Sequence, residues 1–185
     1  WCWPLVGLVL AGLALLPAML VDFLTGNPLV YAIFAIAAMV LLSGAMHEDG
    51  IADCADGFGG GMDRDRKLEI MRDSTVGTYA VVMLILTLGL RLVLITAAAD
   101  IGQAGILFLI MAVISRAAMP VVMRILPPAR DNGLGKEAGR PGWLPVLVGF
   151  AIASASVLVL GGIGAMFAVI VGVMIAILIV AMVAR

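Results

Sequence analysis

The run LVYAIFAIAAMVLLSGAM (residues 29–46) decides the fold, because it contains no Asp, Glu, Lys or Arg. At about 1.5 Å per residue it nearly covers the roughly 30 Å of a bilayer's hydrocarbon. Runs of this kind recur along the chain, which is 64% hydrophobic and only 12% charged. Strands of a membrane β-barrel would alternate apolar and polar residues, and these runs do not. The expected fold is therefore all-α: a polytopic integral membrane bundle of about six spans plus a short interfacial helix. The spans are predicted at residues 4–21, 29–46, 77–98, 105–126, 144–160 and 163–184. Residues 1–185 read as a single transmembrane domain.

The connections fit that count. Residues 22–28, 99–104 and 161–162 hold no Lys or Arg, whereas Arg64, Arg66, Lys67, Arg72, Arg130, Lys136 and Arg140 fall in the alternate loops. Positive residues favour the cytoplasmic side, so these loops and the N-terminus are expected there. A net charge of −1 creates no long-range field and points away from nucleic acid. Two cysteines, Cys2 and Cys54, are too few for a disulfide framework.

Directly after the apolar run comes HEDGIADCADGFGGGMDRDRKLEIMRDSTVGT (residues 47–78), which concentrates eight of the twelve acidic residues. If the second helix continues past the membrane surface, Asp49, Asp53 and Asp56 stand at i, i+4 and i+7 and share one face. Stacked like charges repel unless a cation lies among them. Oxygen-only donors favour Mg²⁺ or Mn²⁺, and a solvated acidic loop is the plain alternative. Residues 57–61 read as a flexible glycine turn, and Asp63 as the N-cap of an interfacial helix over about 64–72 with Leu68, Ile70 and Met71 toward lipid. Asp73 reads either as a further ligand or general base, or as a cap for the next span through Ser74 and Thr78.

Two arginines lie inside spans. Arg116 sits near a midplane, where a charge is costly and ordinarily faces a polar cavity suited to a phosphate. Arg91 reads as a snorkelling residue or a functional one. The loop PPARDNGLGKEAGRPG (residues 127–142) combines glycines with Arg130, Lys136 and Arg140, which reads as an anion site or as a loop contacting headgroups.

At HEDGIADCADG (residues 47–57), DRDRKLEIMRDS (residues 63–74) and Gly77-Thr78 the chain strongly resembles the cobalamin synthase family, adenosylcobinamide-GDP ribazoletransferases. Trp3-Pro4-Leu5-Val6-Gly7 and the segments Ala129-Arg130 and Gly133-Leu134-Gly135 extend the resemblance over essentially the whole chain. It implies a Mg²⁺-dependent enzyme of the bacterial or archaeal cytoplasmic membrane, with its active site facing the cytoplasm. Such an enzyme joins adenosylcobinamide-GDP to α-ribazole, or its 5′-phosphate, and releases GMP. Carried onto this chain, the resemblance makes Asp49, Asp53 and Asp56 the metal-holding catalytic residues, with Asp73 a candidate base. Arg116, Arg130 and Lys136 become phosphate contacts, and a homo-oligomer is left open. Glu48 stands where many members carry an apolar residue, and the family's extreme N- and C-terminal segments are expected to be missing here.

Two other readings compete. A CDP-alcohol phosphotransferase also clusters aspartates at a membrane helix end, but its DGxxAR signature fails after Asp49-Gly50-Ile51-Ala52, where Asp53 follows. A cation transporter using the acids as a relay would place them at mid-membrane.

Overall fold

The computed structural model describes residues 2–129 and 133–183. Among them every regular element is a helix: α1 (Trp3–Thr25), α2 (Pro28–Leu42), α3 (Met46–Gly60), α4 (Arg64–Ile70), α5 (Thr78–Asp100), α6 (Ala104–Ile125), α7 (Leu134–Glu137) and α8 (Trp143–Val183). Four of these, α1, α5, α6 and the Trp143–Val173 part of α8, are long and apolar enough to cross a membrane. The count becomes five if α2 and α3, bent by 87° against each other, form one broken span.

Three of the predicted spans change form. The span expected at residues 29–46 ends early, because Gly44 (φ 64°) and Ala45 (φ 57°) take the left-handed conformation and stop the helix. The chain therefore does not run straight on into the acidic stretch. The spans expected at 144–160 and 163–184 are continuous in α8 except at Gly162, whose φ of 69° and ψ of −168° are non-helical. That interruption falls where the sequence placed a connection.

Residue contacts divide the chain into two compact units. In the first, Trp1–Val9 with Ile106–Arg185, α1 and α6 approach so closely that a Cβ on Gly7 would lie 2.5 Å from the Ala112 carbonyl oxygen. Val113, Ala117 and Ala153 form its core with Leu8 packed against them.

The second unit, Leu10–Gly105, holds the rest of α1 with α2 to α5. Ala11, Ala14, Leu15 and Ala18 recur at helical spacing and are buried, as are Ala32 and Ala35 of α2 and Ala80 and Ala98 of α5. The large side chains Phe23, Leu24, Ile85, Leu86 and Val93 point outward. Small residues inside and bulky ones outside is the pattern of helices packed in lipid, where tails solvate Leu as well as a protein core does. The tight α1–α2 connection rests on Asn27, whose Oδ1 accepts the N–H groups of Leu29 and Val30 at 3.0 and 3.3 Å.

Candidate functional site

The acidic residues stand on α3, which packs antiparallel along the first part of α5 and is tied to it at both ends. At the C-terminal end, Asp56 Oδ2 accepts the Gly77 N–H at 2.6 Å and Oδ1 accepts the Ala80 N–H at 2.9 Å. These N–H groups open α5 and have no partner within their own helix, so a carboxylate there satisfies them and meets the positive end of the helix dipole. Gly77 is required by the same contact: a Cβ on it would lie 2.6 Å from Asp56 Oδ1. The cap of this span therefore comes from a residue 21 positions upstream, rather than from Asp73 acting through Ser74 and Thr78.

At the N-terminal end, Glu48 Oε1 meets Arg91 Nη1 at 2.7 Å, with side-chain exposures of 12% for the acid and 33% for the base. Arg91 therefore does not reach for the membrane surface; its charge is paired with Glu48. Arg91 is the fourteenth residue of α5, about 20 Å along that helix at roughly 1.5 Å per residue. Glu48 thus lies level with the middle of a spanning helix, and Asp56 with its start. The sequence signalled one half of this pair: Arg91 lies within a predicted span, where a charge tends to find a partner, whereas Glu48 lies outside the predicted spans.

Asp49 is exposed and Asp53 half-buried, both on the stretch of α3 between the two ties. On a helical projection Asp49, Asp53 and Asp56 fall within roughly 60°. Among the described residues no three His, Cys, Asp or Glu side chains converge as a ready-made metal cage. Asp73 is exposed; its Oδ1 accepts the Thr75 N–H at 2.9 Å. Hydrogen bonding from Thr75, and then the nearby Arg66 charge, hold its carboxyl below the ordinary carboxylate range.

The glycines at 57–61 do not form a flexible turn. Gly57 to Gly60 continue α3 and the helix ends at Gly61. The reason is contact: a Cβ on Gly57 would lie 2.6 Å from Met71 Cε, and one on Gly59 would lie 2.5 Å from the Tyr79 ring. Met71 and Ile70 accordingly turn toward α3 rather than toward lipid, with Ile70 Cδ1 placed 3.4 Å from a Cβ on Gly60. Helix α4 itself follows expectation, with Asp63 Oδ1 accepting the Arg66 N–H at 2.8 Å. Arg66 also pairs with Glu69 at 2.7 Å, which raises its pKa, and Lys67 lies 5.1 Å above the Phe58 ring.

In the other unit, Arg116 is only 5% exposed and its Nη1 donates to the Ala112 carbonyl at 3.4 Å. Lys136 is exposed on α7, and Arg130 lies outside the described residues. Arg140 closes the end of α6, donating to the carbonyls of Arg124 at 2.8 Å and Ile125 at 3.3 Å, while Arg124 stacks 5.2 Å from the Trp143 ring.

These features define a polytopic helical membrane protein with an acidic helix seated against a span. A family model described as cobalamin-5-phosphate synthase matches residues 1–185. The chain belongs to that family. It is 41% identical over 152 residues to an adenosylcobinamide-GDP ribazoletransferase of Bradyrhizobium diazoefficiens, covering 82% of this chain and 58% of the relative. Relatives of the same name from Sinorhizobium medicae (43% identity, 75% of this chain, 54% of the relative) and Brucella anthropi (40%, 81% and 59%) are similarly close. The chain thus spans a little over half the length of the curated relatives it matches. No solved structure matches it.

Proposed function

We propose that this chain carries the membrane-embedded catalytic part of an adenosylcobinamide-GDP ribazoletransferase, joining adenosylcobinamide-GDP to α-ribazole or its 5′-phosphate with release of GMP. The observation that carries the proposal is the seating of α3 on α5, which leaves Asp49 and Asp53 on one face between two fixed points. The relatives' shared name supplies the reaction class.

The donor set suits Mg²⁺. A magnesium ion usually takes one or two carboxylates and completes its shell with substrate phosphate oxygens and water, so a preformed cage of three is not required. Asp49 and Asp53 would hold it. Asp56 already receives two N–H groups, and its remaining lone pairs leave it a candidate third ligand. When bound, the ion would neutralise charge on the diphosphate and the leaving GMP.

In this reading a ribose hydroxyl of the ribazole attacks the cobinamide-side phosphorus, the bond to GMP breaks, and the hydroxyl proton passes to a base. Asp73 is a candidate for that base, a weak one because its lowered pKa reduces its proton affinity. Arg116, Arg130 and Lys136 are proposed to bind phosphate oxygens, as cations do in phosphoryl transfer generally. The bacterial or archaeal cytoplasmic membrane, with α3 opening to the cytoplasm, is the proposed location, supported by the placement of Lys and Arg in alternate loops.

The test offers adenosylcobinamide-GDP, α-ribazole and Mg²⁺ to full-length protein in detergent and measures GMP. Asp53→Asn is expected to lower the rate on the order of a hundredfold or more. GMP release no faster than in that variant would reject the transferase reading.

A further inference from the structure

Helix α3 is entered through a tight backbone bend, closed by hydrogen bonds from the Gly44 N–H to the Leu41 carbonyl at 3.1 Å and from the Ala45 N–H to the Val40 carbonyl at 2.9 Å. Gly44 and Ala45, both at positive φ, produce the 87° bend, and beyond Gly60 the chain turns again. Beyond the bend and the close packing of Gly57 and Gly59 against Met71 and Tyr79, two polar side-chain contacts tie α3 to α5. Asp56 anchors one end to the start of α5, and Glu48 anchors the other to Arg91. The two anchors stand on the same side of α3, about 12 Å apart at roughly 1.5 Å per residue. The glycine packing lies at the Asp56 end of α3, so the Glu48–Arg91 contact is the polar tie that sets the rotation and depth of its other end.

The Glu48–Arg91 contact has the character of an obligate pair. Glu48 Oε2 is buried, and no described residue donates a hydrogen bond to it. The charge of Glu48 is thus balanced through Oε1 and Arg91 Nη1. Removing either partner would leave the other charge stranded beside a spanning helix. Asp49 comes directly after Glu48 in the chain, so a shift of Glu48 moves Asp49 with it.

We propose that Glu48 and Arg91 are a positioning pair that sets the rotation and depth of α3 and so presents Asp49 and Asp53 to the substrate. The catalytic part of this inference rests on the transferase reading above. The pair itself touches no reacting atom.

The experiment uses full-length protein in detergent carrying Glu48→Gln, Arg91→Gln, both together, or Arg91→Lys. Two readouts are taken: GMP release as kcat and KM, and the maleimide labelling rate of Cys54 on α3 in a Cys2→Ser background, which needs no activity. Each single Gln variant is expected to lower kcat about tenfold, with KM changed less than about twofold, and to shift Cys54 labelling. The double variant should be no worse than the poorer single, because the two act as one unit. Arg91→Lys, which keeps the charge, should stay within about threefold of the native kcat.

Native kcat in both single variants, losses that multiply in the double variant, or a loss appearing mainly in KM would each overturn the proposal. If the native protein forms no GMP, the transferase reading fails by itself. Cys54 labelling then decides the pair: a shift in both single variants, relieved in the double, upholds its control of α3, and unchanged labelling rejects it.

Discussion

Two breaks interrupt apolar runs in this protein, and the chain continues differently beyond each. At residues 43–45 it bends by 87° and enters a helix bearing Glu48, Asp49, Asp53 and Asp56. At Gly162 the backbone leaves helical geometry for one residue, and α8 resumes with apolar residues. In both cases a glycine at positive φ permits the break. Among the described residues only the first break has charged contacts on its far side, with Arg91 and the start of α5 receiving Glu48 and Asp56. A glycine lets a helix stop, and the charges decide where the next helix goes.

The strongest way to break this contrast is to remove a tie. Asp56→Ala deprives two opening N–H groups of α5 of their acceptor and should cost roughly 2–3 kcal/mol, read as lowered thermal stability in detergent. Asp56→Asn keeps one acceptor oxygen and should fall between the two. An unchanged melting temperature in Asp56→Ala would mean that charge does not seat α3.

Gly162→Ala probes the other break. An added Cβ meets nothing within 4 Å, so any effect is backbone strain at φ 69°, about 1–2 kcal/mol of lost stability with little change in catalysis. At the first break the opposite substitution is informative. Ala45 holds φ 57° without being glycine, so Ala45→Gly should relieve strain and raise stability by up to about 1 kcal/mol. A loss of stability there would show that the Ala45 methyl group contributes packing that outweighs its strain.

The smallest expected effect is electrostatic. The Asp73 pKa is lowered in the folded protein, so its ionised form favours the native state. That contribution is present above the ordinary carboxylate pKa of about 4 and is lost as pH falls through the lower folded value. Native protein should therefore exceed Asp73→Asn in melting temperature near neutral pH, with the gap closing in acid. A gap that widens on acidification would contradict the assignment.

Much of this architecture was legible in the residues. Uncharged runs such as 78–90 and 104–115 give spanning helices because lipid offers no partner for a free backbone polar group. Asp63 was readable as a cap because its side chain serves an N–H three residues on. The glycines at 57–61 were misleading, since a glycine chosen for flexibility and one chosen for close approach look alike until Met71 and Tyr79 are seen beside them. Glu48 and Arg91 stand 43 residues apart, and no local period connects them.

The sequence by itself determined a helical membrane protein of this family, with its acids on one helical face, because hydrophobic run length and the 3.6-residue period are local properties. Only the tertiary structure decided that the acidic helix turns back along α5, that Asp56 caps a span 21 residues away, and that Glu48 holds Arg91. Those outcomes depend on which unsatisfied donor or charge lies nearest once the helices have packed.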